Sequence, residues 1–177
     1  KIDEPKCRAL MNKINERGHI IGFHPSYNAY NNSNQLKEEK ELLEQTLEQE
    51  IIEGRGHYLR FEVPTTWQIL DEAGMEIDST CGYADKEGFR CGTGEEFSVF
   101  NILTREKLKL KERPVILMDF TLFGYQKLGW NKIKYILQKL MKNKNTFTIL
   151  WHNSQIEHRK IYEQLIAYIY NKEINGK

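Results

Sequence analysis

Ile20-Ile21-Gly22-Phe23-His24-Pro25 decides how this chain is read. A short apolar run ends in a histidine, and Pro25, which has no N–H to give a strand ladder, marks an exit into a loop. Residues 19–23 are therefore expected to be a buried strand with His24 at its C-terminal end. Upstream, Cys7, Leu10, Met11 and Ile14 recur at helical spacing and predict an amphipathic helix over 5–17, ended by Arg17-Gly18. Downstream, residues 26–33 are polar and rich in Asn and Tyr, a loop by composition. From Asn34 the pattern turns helical again, with Leu36, Leu43, Leu47 and Ile51 on one face, Ser33 as N-cap and Gly54 as stop.

The same alternation continues. Residues 57–63 predict the next strand, and Pro64-Thr65-Thr66 opens a short helix that Gly74 closes. Residues 75–78 read as a brief strand. Gly82, Gly88, Gly92 and Gly94 punctuate 79–110, which is expected to be long loops with one or two short strands. Residues 115–119 read as a buried strand, 130–142 as a helix with Ile133, Ile136, Leu137, Leu140 and Met141 inward, 146–151 as the last strand and 156–170 as the last helix. Helices alternating with short apolar strands predict an α/β fold with a parallel sheet, open or closed into a barrel. The barrel is favoured because polar loops follow the strand ends, where such folds place their chemistry.

Composition narrows the function. The 177 residues suffice for one domain, and 26 basic side chains nearly cancel 25 acidic ones, so no bulk field favours nucleic acid or an anionic membrane. Nine Tyr, eight Phe and three Trp can fill a core or stack on sugar faces, and composition does not choose between them. Cys7, Cys81 and Cys91 are an odd set without close paired spacing, which predicts free thiols in a reducing, cytoplasmic compartment. No stretch is long and apolar enough for a membrane span. Because the first residue is Lys1, the chain is read as a piece of a longer polypeptide.

Five histidines are present. A single one is more often structural than catalytic, but His24 and His152 each close an apolar run and precede polar residues. In parallel α/β folds that edge is where sites assemble. Arg60 and Asp78 lie at expected strand ends as well, so one rim would carry imidazole, guanidinium and carboxylate.

At these residues a family resemblance enters. Gly22-Phe23-His24-Pro25-Ser26-Tyr27-Asn28 resembles the second motif of the NodB-homology polysaccharide deacetylases, carbohydrate esterase family 4, in which a strand ends in His and a second His follows four positions later. The run from His57 to Pro64 around Arg60 is similar to the third motif, Asp78 sits where the fourth places an Asp, and Leu150-Trp151-His152 matches the fifth, Leu-any-His. The order and spacing agree over 18–154. The stretches 22–31, 57–67 and 82–93 look like a bacterial subgroup associated with surface-polysaccharide biosynthesis.

The resemblance implies a single domain over 1–177, a distorted, incomplete (β/α) barrel lacking its first strand. It implies a metal-dependent hydrolase that removes acetyl groups from a sugar or glycan, using a divalent metal: zinc, with cobalt, nickel or manganese as alternatives. His24 would be a metal ligand, His152 the general acid, Arg60 the residue orienting a base, and Asp78 the group holding His152. The first motif, a paired Asp at a strand end, is not in these residues. Asn28 stands where the second metal His is usual; it coordinates weakly, His57 substitutes, or the site holds no metal. Tyr27, Tyr83, Arg90 and Trp151 are candidate sugar contacts, with core packing the alternative for Trp151 and a surface ion pair for Arg90. Trp67, in a helical stretch, is assigned to packing. A glycan-binding relative without turnover is the competing expectation. A third, a phosphate-directed metal hydrolase, would need basic residues clustered at the strand ends, where only Arg60, Arg55 and Arg90 qualify.

Overall fold

A computed structural model describes residues 2–143 and 147–175. Helix α1 (Pro5–Glu16) packs on α2 (Ser33–Leu47). The cap of α2 is Asn32 rather than Ser33, since the Asn32 side-chain oxygen accepts from Gln35 N at 3.1 Å. The helix ends earlier than Gly54, at Glu48, which takes a left-handed conformation with φ 54°. Ile51 then turns inward at 1% exposure to join the core beneath the sheet.

The strands are shorter than their apolar runs suggest. In 19–23 only Phe23 pairs, bridging in parallel to Gly54. Strand β1 (Glu53–Gly54) lies parallel to β2 (Ile77–Asp78), and β2 lies parallel to β4 (Glu106–Glu112). Beside β4, β3 (Phe97–Asn101) runs antiparallel, so 79–110 contains a hairpin. Beyond Pro114 the chain continues as β5 (Val115–Met118), paired in parallel with β6 (Thr148–Leu150). Thr146, the expected start of that last strand, lies outside the described residues.

Two backbone bonds, Arg113 N to Asp78 O at 2.7 Å and Val115 N to Cys81 O at 2.9 Å, carry the 78–81 segment alongside both sheets. Phe23, β1, β2, β4–β5 and β6 thus form one open parallel arc. The sheets of four and two strands do not close on each other, so barrel closure is not seen among the described residues.

The segment 57–63 departs most from expectation. Instead of a strand it makes a 3-10 turn over His57–Leu59, with Tyr58 and Leu59 at φ 58° and 52°. Left-handed conformations cannot continue a pleated strand. Helix α3 (Thr65–Glu72) follows as expected.

Two apolar clusters hold the arc. Leu36, Leu43, Ile51, Ile69, Leu70, Met75 and Leu110 pack helices α1–α3 against the first sheet. Ile116, Leu117, Leu122, Ile133, Leu137 and Leu165 pack α4 (Trp130–Leu140) and α5 (Arg159–Asn175) against the second. Each fully buried Leu or Ile contributes roughly 1.5–3 kcal/mol relative to exposure. A π-helical turn, Thr121–Tyr125, leaves β5, and a 3-10 turn, Ile156–His158, precedes α5; neither is signalled by periodicity.

Candidate active site

Polar side chains gather where the parallel segments end. His24 directly follows the Phe23 bridge, and its Nδ1 meets the Arg55 carbonyl at 2.7 Å. A carbonyl only accepts, so Nδ1 carries the proton and the neutral ring keeps its lone pair on Nε2. Burial lowers the pKa of His24, with the Arg55 carbonyl opposing and the charges of His57, Arg55 and His152 assisting. His24 is therefore neutral near pH 7. Its Nε2 faces His57 Nδ1 at 2.9 Å, and the two rings meet edge to face. The left-handed turn at Tyr58 and Leu59 swings His57 back over the strand ends.

Arg60 leaves the same turn and lies between two aromatic faces, 4.2 Å from the Tyr27 centroid and 3.9 Å from that of Tyr30. It donates to Tyr27 O at 3.1 Å, to Tyr30 Oη at 3.1 Å and to Asn28 Oδ1 at 3.3 Å. A planar fork of five donors suits this sandwich, which a lysine could not fill. Asn28, the candidate ligand, is thus held by Arg60. The structure brings His24, His57, Asn28, Tyr27 and Arg60 together.

His152 joins them from the second sheet, within electrostatic reach of His24. Its holder is not Asp78. Asp119, fully buried at the end of β5, accepts from His152 Nδ1 at 2.7 Å through Oδ1 and from His152 N at 2.5 Å through Oδ2. Phe120 N also donates to Oδ1, at 2.6 Å. One carboxylate so grips both the ring and the backbone of a histidine whose side chain is 46% exposed. With Nδ1 occupied, Nε2 is left for a ligand. Asp119 ends an apolar run, Val115-Ile116-Leu117-Met118, just as His24 does. The signal that singles out the two histidines and Asp78 therefore marks Asp119 as well.

Asp78 has a different surrounding. It is 1% exposed, and its Oδ1 accepts from Thr80 Oγ1 at 2.5 Å. Its Oδ2 lacks an ordinary donor, and Glu112, itself buried, lies beside it. Burial, followed by the Asp78 charge, pushes Glu112 up to about 10, so Glu112 keeps its proton beside Asp78. Glu112 also accepts from Cys81 N at 2.7 Å and Trp67 Nε1 at 3.3 Å, a polar partner for the packing tryptophan. Thr80 Oγ1 accepts from Gly56 N at 2.8 Å and Arg55 Nε donates to Ser79 O at 2.8 Å, so this buried network underpins the turn that bears His57.

The other candidate contacts lie apart from this cluster in their bonding. Arg90 donates to Gly82 O at 2.9 Å and stands over the Phe61 ring, bracing its own loop rather than making a surface ion pair. Lys86 caps Tyr83 at 4.4 Å. Trp151 packs in the second core against Phe123 and Tyr162.

A solved structure now bears on this arrangement. A Mycobacterium smegmatis protein provisionally described as a polysaccharide deacetylase superposes with a TM-score of 0.65 at 16% identity, over 93% of this chain and 61% of its own. The two proteins share a fold. The chain spans about three-fifths of that neighbour's length. No protein-family model matches the sequence, and no curated protein matches it.

A divalent cation needs several donors converging on one point. Among the described residues no group of three His, Cys, Asp or Glu side chains comes together. What comes together is a pair: His24, whose Nδ1 is held by the Arg55 carbonyl, and His57 against its Nε2.

Proposed function

We infer that this chain carries the rim of a metal-dependent carbohydrate deacetylase. The observation that carries the reading is the Asp119–His152 pair at the end of the parallel arc, within electrostatic reach of a neutral, carbonyl-anchored His24. The likeness in fold to a protein described as a polysaccharide deacetylase supports it. In this reading the substrate is an acetylated sugar or glycan, and His24 and His57 hold the cation, zinc in the first instance, with further ligands from outside the described residues. A bound cation would polarise the acetyl carbonyl and favour attack by water.

The chain's own residues divide the remaining work. Asp119 fixes the ring and tautomer of His152, so that Nε2 is the nitrogen that exchanges a proton with the departing group. Burial keeps His24 unprotonated, with its lone pair free for the cation once His57 turns aside. Arg60, locked between Tyr27 and Tyr30, presents fixed positive charge beside Asn28. The exposed ring of Tyr27 is placed to stack on a sugar.

A second reading is a glycan-binding relative without turnover. It is favoured by Asn28, whose oxygen is engaged by Arg60 rather than free for a cation. Acetate release from acetylated sugars by the full-length protein, with elemental analysis, separates the two. His152→Ala should abolish release and leave metal content unchanged, whereas His24→Ala should lower metal content. Metal that stays bound in His24→Ala, or turnover that survives His152→Ala, contradicts these roles.

A further inference from the structure

The β3–β4 hairpin stands outside this site and is built in an unusual way. Its turn is pinned from within: buried Asn101 accepts from Leu103 N at 2.9 Å and Thr104 N at 3.2 Å, and donates to Gln68 of α3 at 2.7 Å. Arg105 N closes the turn on Asn101 O at 2.8 Å, with Arg105 at φ 60°. Turns held this firmly are ordinarily polar. This one presents Ile102 and Leu103 at 62% and 77% exposure, next to Phe100 at 48%.

From the turn, β4 alternates. Leu108, Leu110 and Glu112 face inward, while Lys107, Lys109 and Lys111 face out. Lys107 pairs across the hairpin with Phe100, so Phe100 shares the face of the lysine row, and that face runs up to the turn that bears Ile102 and Leu103. These lysines and Arg105 form no ion pair among the described residues, whereas Arg113, next on that face, is neutralised by Glu53 and Glu96. Glu106 is the sole carboxylate in 102–111. Lysines alone would be a solvated strand face. Lysines leading to a rigid aliphatic tip make an interfacial surface.

We propose that the β3–β4 hairpin docks this protein on an anionic bilayer surface. Ile102 and Leu103 enter the boundary between headgroups and acyl chains, and the lysine row lies along the headgroups. A near-neutral protein has no bulk attraction to such a surface; the attraction is local, four cations against one carboxylate. An anionic polysaccharide would satisfy the lysines but bury neither aliphatic side chain, which is why the bilayer is preferred.

The test is co-sedimentation of the full chain with vesicles of phosphatidylcholine alone or mixed with phosphatidylglycerol. Binding is expected only to the mixed vesicles, and it should weaken as salt rises. Replacing Lys107, Lys109 and Lys111 together by Ala should weaken it about a hundredfold, and Ile102→Ser with Leu103→Ser at least about tenfold. All five side chains are exposed, so an unchanged melting curve verifies folding. Binding to neither vesicle, equal binding to both, or binding indifferent to either set of changes overturns the proposal. So does retention on heparin, or on an acidic protein, without vesicle binding.

Discussion

Replacing Asp119 by Asn changes one atom and should reveal how the second half of the site is held. The carboxylate accepts three bonds: Phe120 N and His152 Nδ1 on Oδ1, His152 N on Oδ2. An amide has one oxygen. If that oxygen keeps Phe120 N and the ring, the new NH2 confronts the His152 N–H, donor against donor, and the opposite orientation leaves two donors unmet. One buried donor without a partner costs about 1–3 kcal/mol. In a chain of this size each 1 kcal/mol moves the melting temperature by roughly 2–4 °C. A fall of about 4–8 °C is therefore expected at the middle of that range. Differential scanning calorimetry of the two proteins at one pH measures it. Where turnover is present, acetate release should fall by roughly 10²–10⁴, the range for losing a positioned acid or base. A melting temperature that does not move would refute the grip of Asp119 on the His152 backbone, whatever the activity shows.

Glu112→Gln should flatten the dependence of stability on pH. The folded protein holds the Glu112 proton up to about 10, while the unfolded chain releases it in the ordinary carboxylate range, so this contribution is complete below that range and is lost as pH rises toward 10. Glutamine donates to Asp78 without titrating, and melting temperatures from pH 5 to 9 should decline less in the variant; an identical decline would show that another group sets the slope. Arg60→Lys should cost about 1–2 kcal/mol, since a lysine cannot reproduce the two-ring sandwich or the fork to Tyr27 O and Tyr30 Oη; chemical denaturation measures it, and an unchanged midpoint would mean the sandwich is not formed in solution. Leu137→Ala, at a position with no exposure in the second core, should cost about 2–5 kcal/mol; a loss under 1 kcal/mol by the same measurement would mean that the cavity had collapsed.

Periodicity located the helices because each buries one stripe: α1, α3 and α4 fall within two residues of the expected ranges and α5 starts three residues late, while α2 stops at Leu47, short of Ile51 and Gly54, because Glu48 turns left-handed. Strands were harder. Glu53-Gly54, the true neighbour of β2, is two residues long and one of them is charged, so no apolar run announces it. The run 57–63 has a strand's composition, yet Tyr58 and Leu59 are held left-handed, and side-chain identity does not encode that choice locally. For the site, position at the end of an apolar run was the useful signal, and it was read for His24 and His152. Asp78 satisfied the same rule but lies buried against Glu112, because the rule places a residue along the chain without saying which way its side chain turns.

Gly54 has a consequence for how this protein can change. A methyl group there would come within 2.8 Å of Phe23 O and 2.9 Å of Met75 Cε, with backbone on one side and a core side chain on the other. Met75 could swing away, but the Phe23 carbonyl could not without parting the segment before His24 from the one whose Arg55 carbonyl orients its ring. A library randomised at position 54 should therefore return glycine alone among folded clones, even though a glycine brings no reactive group of its own.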